Sequence, residues 1–153
     1  MSKFEDISSG HIGIAGEHAV ASELLFRGYN TSLMSVDVGI DLVAIKDSKT
    51  YYIQVKTATI NDRDYYAYDL RVASFERHEN SQTFYVFVLR NQENNFLILP
   101  YTILKEKISQ GDIKSYGQGK YRVNIFVKDE DIFIASIKSN SLDYYLNNWE
   151  IIR

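Results

Sequence analysis

The longest unbroken apolar run in this chain, Phe84 to Leu89, is strand-sized and far short of the ~20 residues that a membrane-crossing helix needs. A second stretch, Asn95 to Leu99, follows the polar turn Asn91-Gln92-Glu93-Asn94 and is stopped by Pro100. Two such strands in succession commit the chain to a sheet. At 153 residues it buries roughly 70% of its unfolded surface, enough for one core. Its 12 Tyr favour strands and leave hydroxyl-bearing rings over for a surface.

The same composition excludes whole classes of chemistry. With no Cys there are no disulfides, thiolate zinc sites, iron–sulfur clusters or thiol nucleophiles. The start Met-Ser-Lys-Phe-Glu-Asp has no apolar signal core, so a soluble, cytoplasmic protein without a membrane is expected. A formal charge of −3 means that nucleic acid would have to be met by locally concentrated or oligomer-multiplied positive charge. No nucleophile-elbow Gly-x-Ser-x-Gly, dinucleotide fingerprint, phosphate-binding loop or His-Glu-x-x-His is present, so no organic cofactor is expected.

No repeat or Pro/Gly/Ser linker divides the chain, and one domain is expected over 1–153. Ser8 or Ser9 can cap a helix from near His11 to Arg27, ended by Gly28. Ile14, Val20, Ala21, Leu24 and Leu25 would form its apolar stripe. Strands are expected at 29–36, 40–46, 51–57, 83–89, 95–99, 121–127 and 131–137, with Asp47-Ser48-Lys49-Thr50 as a four-residue turn. The stretch 60–80 stays unassigned, 111–120 reads as a loop, and Thr102 can cap a short helix to about Ile108. A last helix, capped by Asn140 or Ser141, should run to about Trp149. The fold class is α/β (α+β), with a mixed central sheet flanked by helices.

Four polar residues stand where this pattern concentrates chemistry. Glu17 lies three residues after Ile14 and four before Ala21, on the apolar stripe, where a carboxylate is costly unless something meets it. Asp41 opens a strand after Gly39-Ile40, and Gln54 and Lys56 share a face of the next. If Lys46 pairs with Tyr51, Asp41 falls opposite Lys56, and Leu42, Ala44, Ile53 and Val55 share the other face. Two carboxylates and an amide oxygen suit Mg²⁺ or Mn²⁺ and suit zinc poorly. A nearby Lys can orient or deprotonate a water, or neutralise a phosphate, so metal-assisted phosphodiester hydrolysis fits the inventory. The alternatives are a solvated edge strand bearing Gln54 and Lys56, a turn Asp41, and a Glu17 rotated out to water.

Through Gly16-Glu17, Gly39-Ile40-Asp41-Leu42 and Gln54-Val55-Lys56, the chain resembles the PD-(D/E)XK, or restriction-endonuclease-like, nuclease superfamily. Ile40 stands where the motif has Pro, and Gln54 where it has the second acid, a variant found in some intron homing endonucleases. The resemblance covers about residues 13–57. It implies a restriction-endonuclease-like fold and a divalent-metal-dependent DNA endonuclease of restriction, repair or homing type. Asp41 and Gln54 would bind the metal, Glu17 would complete its shell, and Lys56 would act on the water. Cutting both strands of a duplex needs two sites, so a homo-oligomer is expected. The rival reading is a catalytically inactive nuclease-fold module that binds nucleic acid or a protein partner.

Further DNA contacts are expected from Gly13, Gly16 and His18 in the first helix, and from Lys114, Lys120 and Arg122 in a loop that interleaves basic and aromatic residues. For the glycines, close packing of helix on sheet is an equal alternative. For His18 and the loop, the alternative is an ordinary solvated surface.

Overall fold

The computed structural model describes residues 7–36, 39–129, 131–134 and 141–153. It opens with helix α1 (Ser9–Phe26), where the Ser8 side chain accepts from the His11 N–H at 3.3 Å. The buried stripe of α1 is Gly16, Val20, Ala21 and Leu24. Ile14 and Leu25, expected on that stripe, are 59% and 54% exposed. The helix turns its smallest residue to the sheet, which lets the two backbones approach closely.

The strands that follow are β1 (Asn30–Leu33), β2 (Leu42–Lys46) and β3 (Lys49–Thr59), then β4 (Tyr65–Arg71) and helix α2 (Val72–Arg77). Next come β5 (Thr83–Asn91), β6 (Glu93–Pro100), helix α3 (Tyr101–Ser109), β7 (Lys114–Ser115), β8 (Lys120–Lys128) and β9 (Asp131–Ile134). The central sheet has the order β1-β2-β3-β5-β6; β3 and β5 are parallel and the other neighbours antiparallel. Parallel strands cannot be joined by a tight turn. Here β4 and α2 make the crossover, and β4 enters a second sheet, β4-β8-β7, with β9 on β8.

Two cores result. Val20 and Leu24 of α1 pack on Leu42, Ile53, Val86 and Ile98 of the central sheet. Its other face carries Tyr85, Phe87 and Leu97, which meet Tyr66 and Leu70 of β4, Val123 and Ile125 of β8, Phe75 of α2 and Leu104 of α3. The mixed sheet is thus flanked by helices, with a second sheet sharing one side.

Several expectations need correction. The stretch 60–80 holds a clean strand: Tyr66, Tyr68 and Leu70 are buried, alternating with half-buried Tyr65, Ala67 and Asp69. The Tyr68 hydroxyl donates to the Val88 carbonyl at 2.8 Å, so a polar-looking ring is a core residue with its hydroxyl satisfied. Helix α3 starts at Tyr101 straight after Pro100 without a side-chain cap, and Thr102 lies inside its first turn. The expected loop at 111–120 contains β7. The last helix is absent from the described residues after 140, which form two short 3-10 turns, Asp143–Tyr145 and Trp149–Ile151. Side chains there bond to strands: Asp143 accepts from the Ile132 N–H and Asn147 from the Phe96 N–H, both at 2.8 Å. Asn140 and residues 135–137, the end of the expected 131–137 strand, lie outside the described residues.

Burial raises the hydroxyls of Tyr29, Tyr66, Tyr68, Tyr85, Tyr101 and Tyr145 above the ordinary value of 10.0. The folded chain therefore keeps protons that the unfolded chain surrenders above that pH. This stabilisation is complete below about pH 10 and declines as pH rises beyond it. Urea midpoints should be level from about pH 8 to 9.5 and fall steeply by about pH 11. A midpoint still level at the upper end would mean that these hydroxyls are wet.

Candidate functional site

The site is organised by the β2–β3 hairpin, whose turn is only Asp47-Ser48, both with positive φ (51° and 65°). Lys49 and Thr50 belong to β3, so Lys46 pairs with Lys49 and Leu42 with Ile53. The expected pairs, Lys46 with Tyr51 and Asp41 with Lys56, are displaced by two residues. A slip of two leaves every side chain on its original face, whereas a slip of one would invert them all. Leu42, Ala44, Ile53 and Val55 accordingly stay in the α1 core. Gln54 and Lys56 project together from the other face.

Asp41 sits where β2 leaves the ladder. Its N–H donates to the Ile53 carbonyl at 3.0 Å, one residue out of step with the Leu42–Ile53 pair. Its Oδ2 accepts from the Val55 N–H at 2.7 Å. That donor belongs to the residue between Gln54 and Lys56, so a charge-assisted bond fixes the carboxylate against this part of β3. The entry to Asp41 is tight. Gly39 has φ +88°, and a Cβ there would lie 3.0 Å from Ser74 and 3.1 Å from His78. Asp41 and Lys56 are half-buried, and Gln54 is 7% exposed, one of few buried polar side chains.

Glu17 approaches from the opposite layer. Gly16 lies so close to Thr57 that an added Cβ would come within 1.7 Å of its Oγ1. The helix turn bearing half-buried Glu17 is therefore pressed onto β3 immediately beyond Lys56. The hairpin thus unites Asp41, Gln54 and Lys56, and α1 brings Glu17 to the same end of β3 from the other side. Gly13 has open space where its Cβ would be, and His18 is exposed.

One polar group here escaped the reading of the sequence. Tyr85 of β5 is the parallel partner of Gln54 and is 1% exposed. Its hydroxyl finds no hydrogen-bond partner among the described residues. Burial raises that hydroxyl above its ordinary value, with Tyr101 and Asp41 adding to the effect. The β3–β5 pairing spans some thirty residues of sequence, and only a parallel register brings Tyr85 beside Gln54.

The residues expected to touch DNA divide into two places. Lys114 pairs with Arg122 across β7 and β8, Lys120 opens β8, and both lysines are exposed. The Arg122 guanidinium donates from Nε to Asp69 at 2.6 Å and lies 3.8 Å over the Tyr116 ring. Desolvation pulls its pKa down, but the bond to Asp69, the Asp69 charge and Tyr116 together hold it above its ordinary value. Gly13, Gly16 and His18 belong to α1, on the far side of the central sheet.

Among the described residues no group of three or more His, Asp and Glu forms a metal cage. No described helix is long and apolar enough to cross a membrane.

No family model and no curated protein matches this sequence. Among solved structures it is similar to a bacterial homing endonuclease, I-Ssp6803I, with a TM-score of 0.65, 19% identity, and coverage of 95% of this chain and 91% of that one. The Holliday junction resolvase Hjc of Archaeoglobus fulgidus gives a TM-score of 0.49 at 14% identity, over 73% of this chain and 83% of that one. The homing endonuclease matches over nearly its whole length, so the mixed sheet that frames Asp41, Gln54 and Lys56 has the fold of that structure.

Proposed function

We propose that the chain is a divalent-metal-dependent endonuclease that hydrolyses phosphodiester bonds in DNA. Asp41, Gln54 and Glu17 would hold Mg²⁺ or Mn²⁺, and Lys56 would serve the attacking water. The observation that carries this reading is the Asp41 carboxylate held by the Val55 N–H between Gln54 and Lys56. The nuclease fold around it agrees.

The donor chemistry fits a hard divalent cation. Mg²⁺ keeps several waters and is commonly held by one or two carboxylates plus substrate phosphate, so a cage of three acids is not required. Replacing the second acid by Gln54 leaves an oxygen donor and removes one negative charge. The bound metal would acidify a water and offset charge on the scissile phosphate. Lys56, on the same face as Gln54, would orient that water or take its proton as the phosphorus–oxygen bond to the leaving group breaks. Glu17 would complete the oxygen set from α1.

Lys114, Lys120 and Arg122 would contact the DNA backbone, with Gly13 and His18 as further contacts along α1, whereas Gly16 is buried against Thr57 and takes the close-packing role. Of the two glycines, Gly13 is the one with room for a phosphate. Asp69 already engages Arg122, so the two lysines would supply most of the salt-dependent attraction. A homo-oligomer would bring a second site to the other strand.

Manganese binding separates this enzyme from an inactive binding module of the same fold. In a titration followed by electron paramagnetic resonance, the protein should bind Mn²⁺, and Asp41→Ala should weaken binding by about 10–100-fold. Equal binding by both proteins, or none by either, would favour the inactive module.

A further inference from the structure

We propose that this chain pairs with a second copy of itself through β1, the bare edge of its central sheet, with the two α1 helices packed side by side above the junction. The contact deepens the endonuclease reading and rests on it for its consequence at DNA.

The two edges of the central sheet differ. Beyond β6 the chain after residue 140 closes the edge: Asn147 donates its N–H to the Phe96 carbonyl at 2.6 Å, its Oδ1 accepts from the Phe96 N–H at 2.8 Å, and Leu146 bridges to Leu97. Beyond β1 no described strand pairs. Alternate residues of β1 therefore turn an N–H and a C=O away from β2, where no strand receives them. Sheet edges are commonly guarded by Lys, Pro or inward-pointing charges. From Tyr29 to Val36 the chain has no Lys, Arg, Asp, Glu or Pro. Four residues of β1 alone bury too little for a stable dimer, which needs roughly 600 Å² per partner.

Apolar side chains beside the edge supply the rest. Val20 and Leu24 point from α1 into the sheet core. At about 100° per residue, Ile12 and Phe26 turn to one flank of the helix, and Ile14 and Leu25 to the other. Ile12 lines a cavity with Val88 and Arg90 of β5 and Asn94 of β6, so the first flank faces β5 and β6. The second flank faces β1, and its Ile14 and Leu25 are 59% and 54% exposed. Leu33 of β1, 43% exposed, lies on the same side of the sheet, since it pairs with Leu42 of the α1 core. This rim carries no charge for an acidic or basic partner to meet, but it matches itself. A two-fold axis through the β1 junction runs strands and helices antiparallel, so Ile14 of each copy meets Leu25 of the other. That axis stands perpendicular to the sheet, and both copies keep Gln54 and Lys56 on one side. Five strand spacings of about 4.8 Å put the two β3 strands about 24 Å apart. A duplex lying across that side meets both sites, one for each strand.

Analytical ultracentrifugation of the full chain tests the contact independently of cleavage. The unmutated chain should sediment as a dimer. Ile14→Lys and Leu25→Glu each place an unpaired charge in the contact, and each should weaken dimerisation at least about tenfold. Both positions are exposed on a helix and both new residues favour helix, so circular dichroism should be unchanged. Mixing the two variants should restore a heterodimer, because the new ammonium of one then faces the new carboxylate of the other. Phe26→Lys, at a more exposed position on the other flank, should leave the dimer intact. A monomeric unmutated chain, a dimer that neither substitution weakens, a mixture that stays monomeric, or equal loss with Phe26→Lys would overturn this inference. A dimer that behaves as described in a chain that never cuts DNA would overturn the endonuclease reading and leave the contact standing.

Discussion

Replacing Gly16 by alanine should destabilise the protein by at least 2–3 kcal/mol, on the order of the upper range for overpacked cores. The added methyl would meet Thr57 Oγ1 at 1.7 Å and Thr57 Cβ at 2.8 Å, both on a central strand, so α1 would have to lift from β3. Alanine favours a helix interior over glycine by about 1 kcal/mol, and the steric cost exceeds that gain. For a domain of this size the loss corresponds to a melting temperature lower by roughly 5–10 °C. Gly13→Ala supplies the opposite sign. Nothing lies within 4 Å of the methyl it would add, so the same propensity gain should stabilise by roughly 0.5–1 kcal/mol. Calorimetry of the two variants should show shifts in opposite directions. Two shifts of the same sign would mean that α1 does not sit on Thr57 as described.

Asp41 should show a split between stability and activity. Asp41→Asn keeps an oxygen acceptor for the Val55 N–H and removes the charge, whereas Asp41→Ala also leaves that N–H without its partner. Asparagine should therefore cost less than about 1 kcal/mol of stability and alanine about 1–2 kcal/mol, the scale of one unsatisfied backbone donor. Both should lower the rate of DNA cleavage by at least about 100-fold, because charge at the reacting centre is worth that much or more. Urea unfolding read beside single-turnover cleavage separates the two effects. Should asparagine retain most of the cleavage, the carboxylate would be structural alone.

The legible parts of this molecule were those governed by local period. The apolar runs at 84–89 and 95–99 became β5 and β6, and Ser8 capped α1. Gln54 and Lys56 shared a face because alternation along a strand does not depend on its neighbour. Register was harder. Asp47 and Ser48 adopt left-handed backbone without glycine, so a two-residue turn carried no strong signature in the sequence. The shared face of Gln54 and Lys56 survived that error because a displacement of two conserves parity. The second sheet was hidden by its tyrosines, since Tyr66 and Tyr68 are counted polar by their hydroxyls yet bury their rings. Tyr85 was invisible for a different reason: its place beside Gln54 exists only through a long-range parallel pairing. The segment after residue 140 carried helix-like spacing, but Asp143 and Asn147 spend their side chains on the backbones of β9 and β6.

The proposed activity is tested most directly by nicking of supercoiled plasmid and of a branched DNA with Mg²⁺ or Mn²⁺ and with chelator, beside Asp41→Asn and Lys56→Ala of verified fold. The account predicts cutting by the unmutated chain with metal, none with chelator, and a loss of at least about 100-fold in each variant. Cutting that persists in chelator or in Asp41→Asn, or no cutting of either substrate, would contradict it.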